Sequence, residues 1–138
     1  MITLLTGTKG SGKTKKLIAL IADAAAASAG HVICVEQKDA LRYDVKTNVR
    51  LVSTDDYAVS GYDAFYGILA GLCAGDHDIT DILVDATLRI GSRDMDELAA
   101  FLAKVNALSE KTEVKFTFTV STETENIPAS VKEFCELA

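Results

Sequence analysis

The chain has 138 residues, of which 49% are hydrophobic and 25% are charged, with a net charge of -6 at pH 7. This length and composition predict a single globular domain, residues 1–138, with a hydrophobic core. The acidic balance argues against a broad, nonspecific nucleic-acid-binding surface, since such surfaces are basic. No apolar run reaches the roughly 18 residues of a membrane-spanning helix, so we expect a cytoplasmic protein without a membrane partner.

The chain begins with an apolar run, Ile2 to Leu5, that predicts a short buried strand, and a helical pattern runs from Lys13 to about Ala27. The residues that join them match the phosphate-binding pattern G-x-x-x-x-G-K-[ST] at every position. They are Gly7, Thr8, Lys9, Gly10, Ser11, Gly12, Lys13 and Thr14. We call residues 7–14 the phosphate loop.

The composition of the phosphate loop suits a polyphosphate. Glycines allow the backbone to curl around phosphate oxygens, and the first turn of the following helix offers unpaired N–H groups and the positive end of its dipole. Lys13 would reach the β- and γ-phosphates, and the Thr14 hydroxyl would bind Mg²⁺. We therefore predict a site for ATP or ADP with Mg²⁺. The alternative is a glycine-rich turn that only begins a helix.

Four further β-rich runs follow along the chain, at residues 31–36, 49–52, 82–84 and 114–120. The second and fourth of the five runs are continuously apolar, which is typical of strands buried on both faces of a parallel sheet. The fifth alternates between apolar and polar residues. This alternation predicts an edge strand, or a strand covered on one face only.

Apolar residues at helical spacing occupy the segments between these runs. One predicted helix carries glycines at every fourth position, Gly67, Gly71 and Gly75, which indicates a helix that lies close on the sheet. A later helix begins with a capping box formed by Asp94 and Glu97. Pro128 is expected to open a last short helix that extends through Cys135.

The alternation of strands and helices predicts an α/β fold with a doubly wound, mainly parallel, five-stranded sheet. Ligands of such sheets bind at the carboxyl ends of the strands. The fourth strand ends in Asp85 after three apolar residues. A carboxylate at this point would orient Mg²⁺ near the phosphates, so we predict that Asp85 is a metal ligand. The alternative is a strand-end residue that caps the next turn.

Together these residues resemble the RecA-like branch of P-loop ATPases. The resemblance implies a P-loop NTPase fold. It also implies that Glu36, at the end of the second strand, positions the attacking water, and that Ser121 or Thr122 senses the γ-phosphate. No glutamate follows Asp85, so the commoner acid–base pair is missing. The alternative interpretation of Glu36 is a polar residue at the end of a strand that is hydrogen-bonded to the neighbouring backbone. The similarity to type II thymidine kinases is weaker, because their zinc module and substrate lasso are missing.

The predicted function is a small Mg²⁺-dependent ATPase that couples hydrolysis to a protein partner or a conformational change. Two alternatives stay open: a nucleotide-binding regulatory module with little turnover, and a small-molecule kinase. Arg89 and Arg93 are candidates for an arginine finger across the interface of a homo-oligomer. The alternative is that they are solvated or pair with Asp94 and Asp96. The three cysteines lie far apart among apolar residues, which predicts buried, reduced thiols rather than zinc ligands.

Overall fold

The computed structural model describes residues 1–46 and 48–138. The strands are β1 (Ile2–Thr6), β2 (His31–Glu36), β3 (Val49–Ser53), β4 (Ile79–Val84), β5 (Lys115–Val120) and β6 (Cys135–Leu137). The helices are α1 (Lys13–Ala27), α2 (Tyr62–Gly75), α3 (Thr87–Ile90), α4 (Met95–Thr112) and α5 (Ala129–Lys132). Within the described residues, no helix has both the length and the hydrophobicity needed to span a bilayer.

The strands form one sheet in the order β3-β2-β4-β5-β1-β6, and every pairing in it is parallel. Helices cover both faces. Residues of α2 and α4 pack on one face, and α1 packs on the other with residues such as Leu17 and Ile21. The prediction of an α/β fold with a mainly parallel sheet is confirmed. The continuous apolar strands indicated it correctly because such strands are stable only where both faces of the sheet are covered.

The predicted number of strands is wrong, because the described chain adds a sixth strand at its carboxyl end. The helix expected to extend from Pro128 through Cys135 stops at Lys132, and β6 follows. Residues 135–137 pair with residues 2–4 along the outer side of β1. An edge strand presents unpaired N–H and C=O groups, and this pairing satisfies those of β1.

The predicted place of β5 is also wrong. This strand lies in the middle of the sheet, between β4 and β1. Its apolar side, with Phe116 and Phe118, belongs to the core under α2 and α4. Its polar side includes Thr119, which is buried and hydrogen-bonded rather than exposed to solvent. The alternating pattern therefore reflects an apolar core on one side of the strand and a polar, hydrogen-bonded environment on the other, and not a solvent-exposed face.

The glycines of α2 do not lie against the sheet as the sequence predicted. Gly67, Gly71 and Gly75 are exposed, and a Cβ at any of them would meet no atom within 4 Å. The buried side of α2 is formed by Phe65, Leu69 and Cys73. The glycine spacing of four residues coincides with the solvent-facing side of the helix, where it costs stability without improving packing.

Alanine at the exposed glycines of α2 is expected to stabilise the protein. Gly67→Ala and Gly71→Ala should each raise the free energy of unfolding by about 1 kcal/mol, because alanine loses less backbone entropy in a helix. Urea denaturation followed by circular dichroism measures the change. Gly91→Ala is the contrasting control: its Cβ would collide with the Tyr62 ring, so it should destabilise. A loss of stability in both α2 variants would contradict this prediction.

The start of α4 is capped as predicted on one side only. Asp94 Oδ1 accepts hydrogen bonds from the backbone N–H groups of Asp96, at 2.9 Å, and Glu97, at 3.1 Å. The Glu97 carboxylate does not return the bond to the Asp94 backbone. It accepts instead from the Ser92 hydroxyl at 2.5 Å. The cap therefore also fixes the turn between α3 and α4.

Candidate functional site

The phosphate loop joins β1 to α1 at the carboxyl edge of the sheet. Gly7, Gly10 and Gly12 have φ angles of 147°, 85° and 90°, in the region that L side chains rarely adopt. A Cβ at Gly10 or Gly12 would meet no neighbour, so backbone conformation is the reason for glycine there. At Gly7 a Cβ would also collide with the Ser11 hydroxyl. The loop conformation thus depends on all three glycines.

The Lys13 side chain folds back into the curve of this loop and is only 8% exposed. Its ammonium group donates to the Thr8 carbonyl oxygen at 2.8 Å and to Ser11 Oγ at 3.5 Å. Burial lowers the pKa of Lys13, and the negative charge of Asp85 acts in the opposite direction. The loop therefore surrounds a desolvated cation whose hydrogen-bond partners are neutral, so that an anion can replace them.

Near the carboxyl edge of the sheet, four adjacent strands place polar residues in one row. The strand registers align them in the order Ser53, Glu36, Asp85 and Thr119. Residues two apart in a strand share a face, so this row lies on the face covered by α1, like Cys34 and Leu83 in the preceding row. Neighbouring strands are about 4.8 Å apart, which brings the Glu36 and Asp85 backbones side by side.

Asp85 connects this row to the phosphate loop. Its Oδ2 accepts from Thr14 Oγ1 at 3.4 Å, and its Oδ1 accepts from Thr119 Oγ1 at 2.6 Å. The structure thus brings together the hydroxyl and the carboxylate that the sequence predicted as metal ligands, from positions 71 residues apart. Hydroxyl and carboxylate oxygens are donors that Mg²⁺ accepts, so the donor set at this point fits that ion.

Thr119, the residue that holds Asp85 in place, was not predicted from the sequence. The Thr119 hydroxyl donates to Asp85 and accepts from the backbone N–H of Ala86 at 3.0 Å. Ala86 itself has a φ of 62°, a left-handed conformation that costs about 1 kcal/mol for alanine. A strained turn and a shared hydroxyl therefore fix the Asp85 carboxylate. The position of Thr119 near the carboxyl end of a predicted strand, where ligands of such sheets bind, was the signal that could have revealed it.

The Glu36 carboxylate is 3% exposed and is bonded to the loop that follows β2. Its Oε1 accepts from the backbone N–H of Ala40 at 2.9 Å and of Leu41 at 3.3 Å, and its Oε2 accepts from Leu41 at 3.3 Å. Burial raises the pKa of Glu36, the two backbone N–H groups oppose this shift, and the charges of Asp39 and Asp85 add to it. This geometry matches the alternative interpretation of Glu36, a strand-end residue hydrogen-bonded to the neighbouring backbone. A water-positioning role stays a prediction.

The raised pKa of Glu36 predicts a pH-dependent effect of Glu36→Gln on stability. Just above the ordinary pKa of 4.5, the folded protein keeps a proton that the unfolded chain has released. The parent's free energy of unfolding therefore falls as pH rises through this window. Glutamine keeps an acceptor oxygen without the charge, so the variant should gain stability relative to the parent as pH rises from the ordinary pKa of 4.5 towards neutrality.

Urea denaturation across this pH range measures the difference, with Glu133→Gln as a matched exposed control that should show no such trend. A stability difference between Glu36→Gln and the parent that stays constant with pH, or that falls as pH rises, would contradict the account.

The remaining residues singled out by the sequence surround the first half of the phosphate loop. The Thr122 carbonyl accepts from the Gly7 N–H at 2.9 Å, which ties the end of β5 to the loop. Arg93 donates from Nη2 to the Ser121 carbonyl at 3.1 Å. In the part of the chain that the structure describes, neither Arg89 nor Arg93 forms an ion pair with Asp94 or Asp96. Lys9 is exposed at the tip of the loop.

All three cysteines are buried and unpaired, as predicted. Burial, together with the nearby charges of Glu36 and Asp85, raises the pKa of Cys34 to about 12. His31 lies with Asp76 and Asp78 at the amino end of β2. This cluster, in which Asp76 is half-buried, is on the opposite edge of the sheet from the phosphate loop and does not belong to the site.

Comparison with known proteins identifies no relative of this chain among protein families or curated proteins. No protein-family model matches the chain. A search of curated proteins likewise finds no significant match.

Proposed function

We propose that this chain is a P-loop nucleotide-binding protein of the RecA-like branch, which binds ATP or ADP with Mg²⁺ at the phosphate loop. One observation carries the proposal: Thr14, on the helix after the loop, lies 3.4 Å from Asp85, at the end of β4, through Oγ1 and Oδ2. The sequence pattern alone predicts both residues as ligands of one metal ion. The buried Lys13 ammonium beside them supplies the positive charge that a polyphosphate needs.

Each residue of the site has a defined task under this proposal. The Lys13 ammonium would exchange the Thr8 carbonyl for oxygens of the terminal phosphates, which are stronger partners because they are charged. Thr14 and Asp85 would hold Mg²⁺, which supplies charge neutralisation on the phosphates. Thr119 keeps the Asp85 carboxylate in a fixed orientation. The tie between Thr122 and Gly7 keeps the end of β5 beside the loop.

The proposed reaction is ATP hydrolysis, in which a water attacks the γ-phosphorus and ADP leaves. Glu36 is the proposed residue for orienting this water, and its neighbour in the row, Asp85, belongs to the proposed metal site. For that role the Glu36 carboxylate must give up its hydrogen bonds to Ala40 and Leu41. Movement of residues 37–41 when nucleotide binds would release it.

A second candidate function is a nucleotide-binding module with little turnover. The observation that favours it is the same set of hydrogen bonds from Ala40 and Leu41, which engage both oxygens of the Glu36 carboxylate. If these bonds persist with nucleotide bound, the Glu36 carboxylate is not available to orient a water.

Phosphate release from MgATP separates the two candidates. An ATPase should release phosphate steadily, and Glu36→Gln should slow it by about 100-fold or more, which is the usual contribution of a positioned base. Asp39→Asn is the matched control, since Asp39 is exposed, and it should retain most of the rate. Calorimetric binding of nucleotide without phosphate release would support the second candidate. Absence of both binding and release would overturn the proposal.

A further inference from the structure

A cleft of about 600 Å³ opens beside the phosphate loop. One wall is the first half of the loop, Thr8 and Lys9, and another is the segment after β5, including Ser121. The third wall is the turn through α3, which contributes Arg89 and Arg93. Lys13 and Thr14 are not part of its lining. The cleft therefore adjoins the proposed phosphate site without including its lysine or its metal ligands.

The charge of this cleft is opposite to that of the whole chain. Its lining has three cationic side chains, Lys9, Arg89 and Arg93, and one carboxylate, Glu123. The chain as a whole has a net charge of -6. Cations from two separate segments, the phosphate loop and the turn through α3, converge here although acidic residues are in excess elsewhere, so the cleft attracts anions and repels cations.

The cleft also holds the groups that recognise an oxyanion by geometry. Arg93 uses Nη2 for the Ser121 carbonyl at 3.1 Å, which orients its guanidinium and leaves its other N–H donors for a ligand. The Arg89 backbone is fixed by a bond of 3.0 Å from its N–H to the Ala86 carbonyl. Guanidinium groups bind carboxylates and phosphates through pairs of parallel hydrogen bonds. The volume is in the range of sites for small molecules.

We propose that this cleft binds a second small ligand, an anion bearing a phosphate or carboxylate group, next to the terminal phosphate of the nucleotide. The inference deepens the proposed function, on which its position beside a nucleotide rests. Its own binding residues, Lys9, Arg89 and Arg93, are different from Lys13, Thr14 and Asp85. The two proposals can therefore fail separately.

Calorimetry with inorganic phosphate and, separately, with succinate tests the proposal. The protein is first saturated with Mg²⁺ and a non-hydrolysable ATP analogue, so that three phosphates already fill the loop. We expect one of the two anions to bind, and the double variant Arg89→Ala/Arg93→Ala to bind it at least about tenfold more weakly, since hydrogen bonds between charged groups are lost. Arg42→Ala is the matched control, because Arg42 is paired with Asp39 outside the cleft, and it should bind as the parent does.

A second variant guards against misfolding of the double variant. Glu123→Gln removes the one carboxylate of the lining from an exposed position and should tighten anion binding about threefold. The same titrations in Lys13→Ala separate the proposals: this variant should lose analogue binding and keep arginine-dependent anion binding, whereas a parent that binds the anion but not the analogue would overturn the nucleotide site and keep the cleft. The absence of anion binding in the analogue-saturated parent, or equal binding by the parent and the arginine double variant, would overturn the cleft proposal.

Discussion

Lys13→Ala is expected to weaken the binding of ATP or ADP by about 100-fold or more, because two hydrogen bonds to charged oxygens contribute about 1.5–3 kcal/mol each. The ammonium is the one buried cation in the curve of the loop, 2.8 Å from the Thr8 carbonyl. Alanine leaves the backbone N–H groups of the loop in place, so weak binding should persist. Calorimetric titration with ADP in the presence of Mg²⁺ measures the loss.

Lys16→Ala is the matched control for this variant. Lys16 lies on the same first turns of α1 but is exposed, so its removal should change the affinity by less than about threefold at physiological salt. Stability separates binding from folding. Removal of the Lys13 ammonium, which is desolvated, should not lower the free energy of unfolding. Equal affinity of Lys13→Ala and the parent would contradict the proposed nucleotide site.

Phe101→Ala is expected to lower the free energy of unfolding by about 3–5 kcal/mol, the usual loss for a buried phenylalanine. Phe101 is 2% exposed and connects three elements. Its ring centroid lies 4.6 Å from that of Phe65, 5.0 Å from that of Tyr62 and 5.8 Å from that of Phe118. Truncation would therefore leave a cavity where α2, α4 and β5 meet. Urea denaturation measures the loss.

Phe101→Leu is the matched control, because it preserves most of the side-chain volume. It should cost less than about 1.5–2 kcal/mol. The cluster lies on the α2 and α4 face of the sheet, whereas α1 and the polar row are on the other face. Folded Phe101→Ala protein should therefore bind nucleotide as the parent does. A loss below about 1 kcal/mol for Phe101→Ala would contradict the packing described here.

The local elements were predictable because their signals are local. The phosphate loop needs residues with positive φ at three positions, and the sequence has glycine at each of them. Helices α1, α2 and α4 show apolar residues at helical spacing over several turns. The order of strands is a different matter, because it depends on contacts between distant segments. Nothing in the alternation of β5 says that β4 and β1 flank it, or that residues 135–137 would pair with β1.

Individual residues of the site could be predicted from the sequence, but the hydrogen bonds that join them could not. Thr14 and Asp85 were each nominated by pattern, and the fold brings them together. Thr119 was missed, because a threonine on an alternating strand predicts exposure unless the opposite layer is known. The hydrogen-bond partners of Glu36 were missed because they are the backbone N–H groups of residues 40 and 41. Every residue except proline has such a group, so the side chains at these positions do not indicate the bonds. The single-turn helix α3 is too short to give a periodic pattern.

A crystal structure of the protein with Mg²⁺ and a non-hydrolysable ATP analogue tests the central claim most directly. The account predicts the phosphates inside residues 7–14, with the Lys13 ammonium on the terminal phosphate oxygens instead of the Thr8 carbonyl. It also predicts the metal ion on the Thr14 hydroxyl, with Asp85 contacting the ion directly or through one of its waters. Phosphates bound outside the loop, or a metal ion remote from both Thr14 and Asp85, would contradict it.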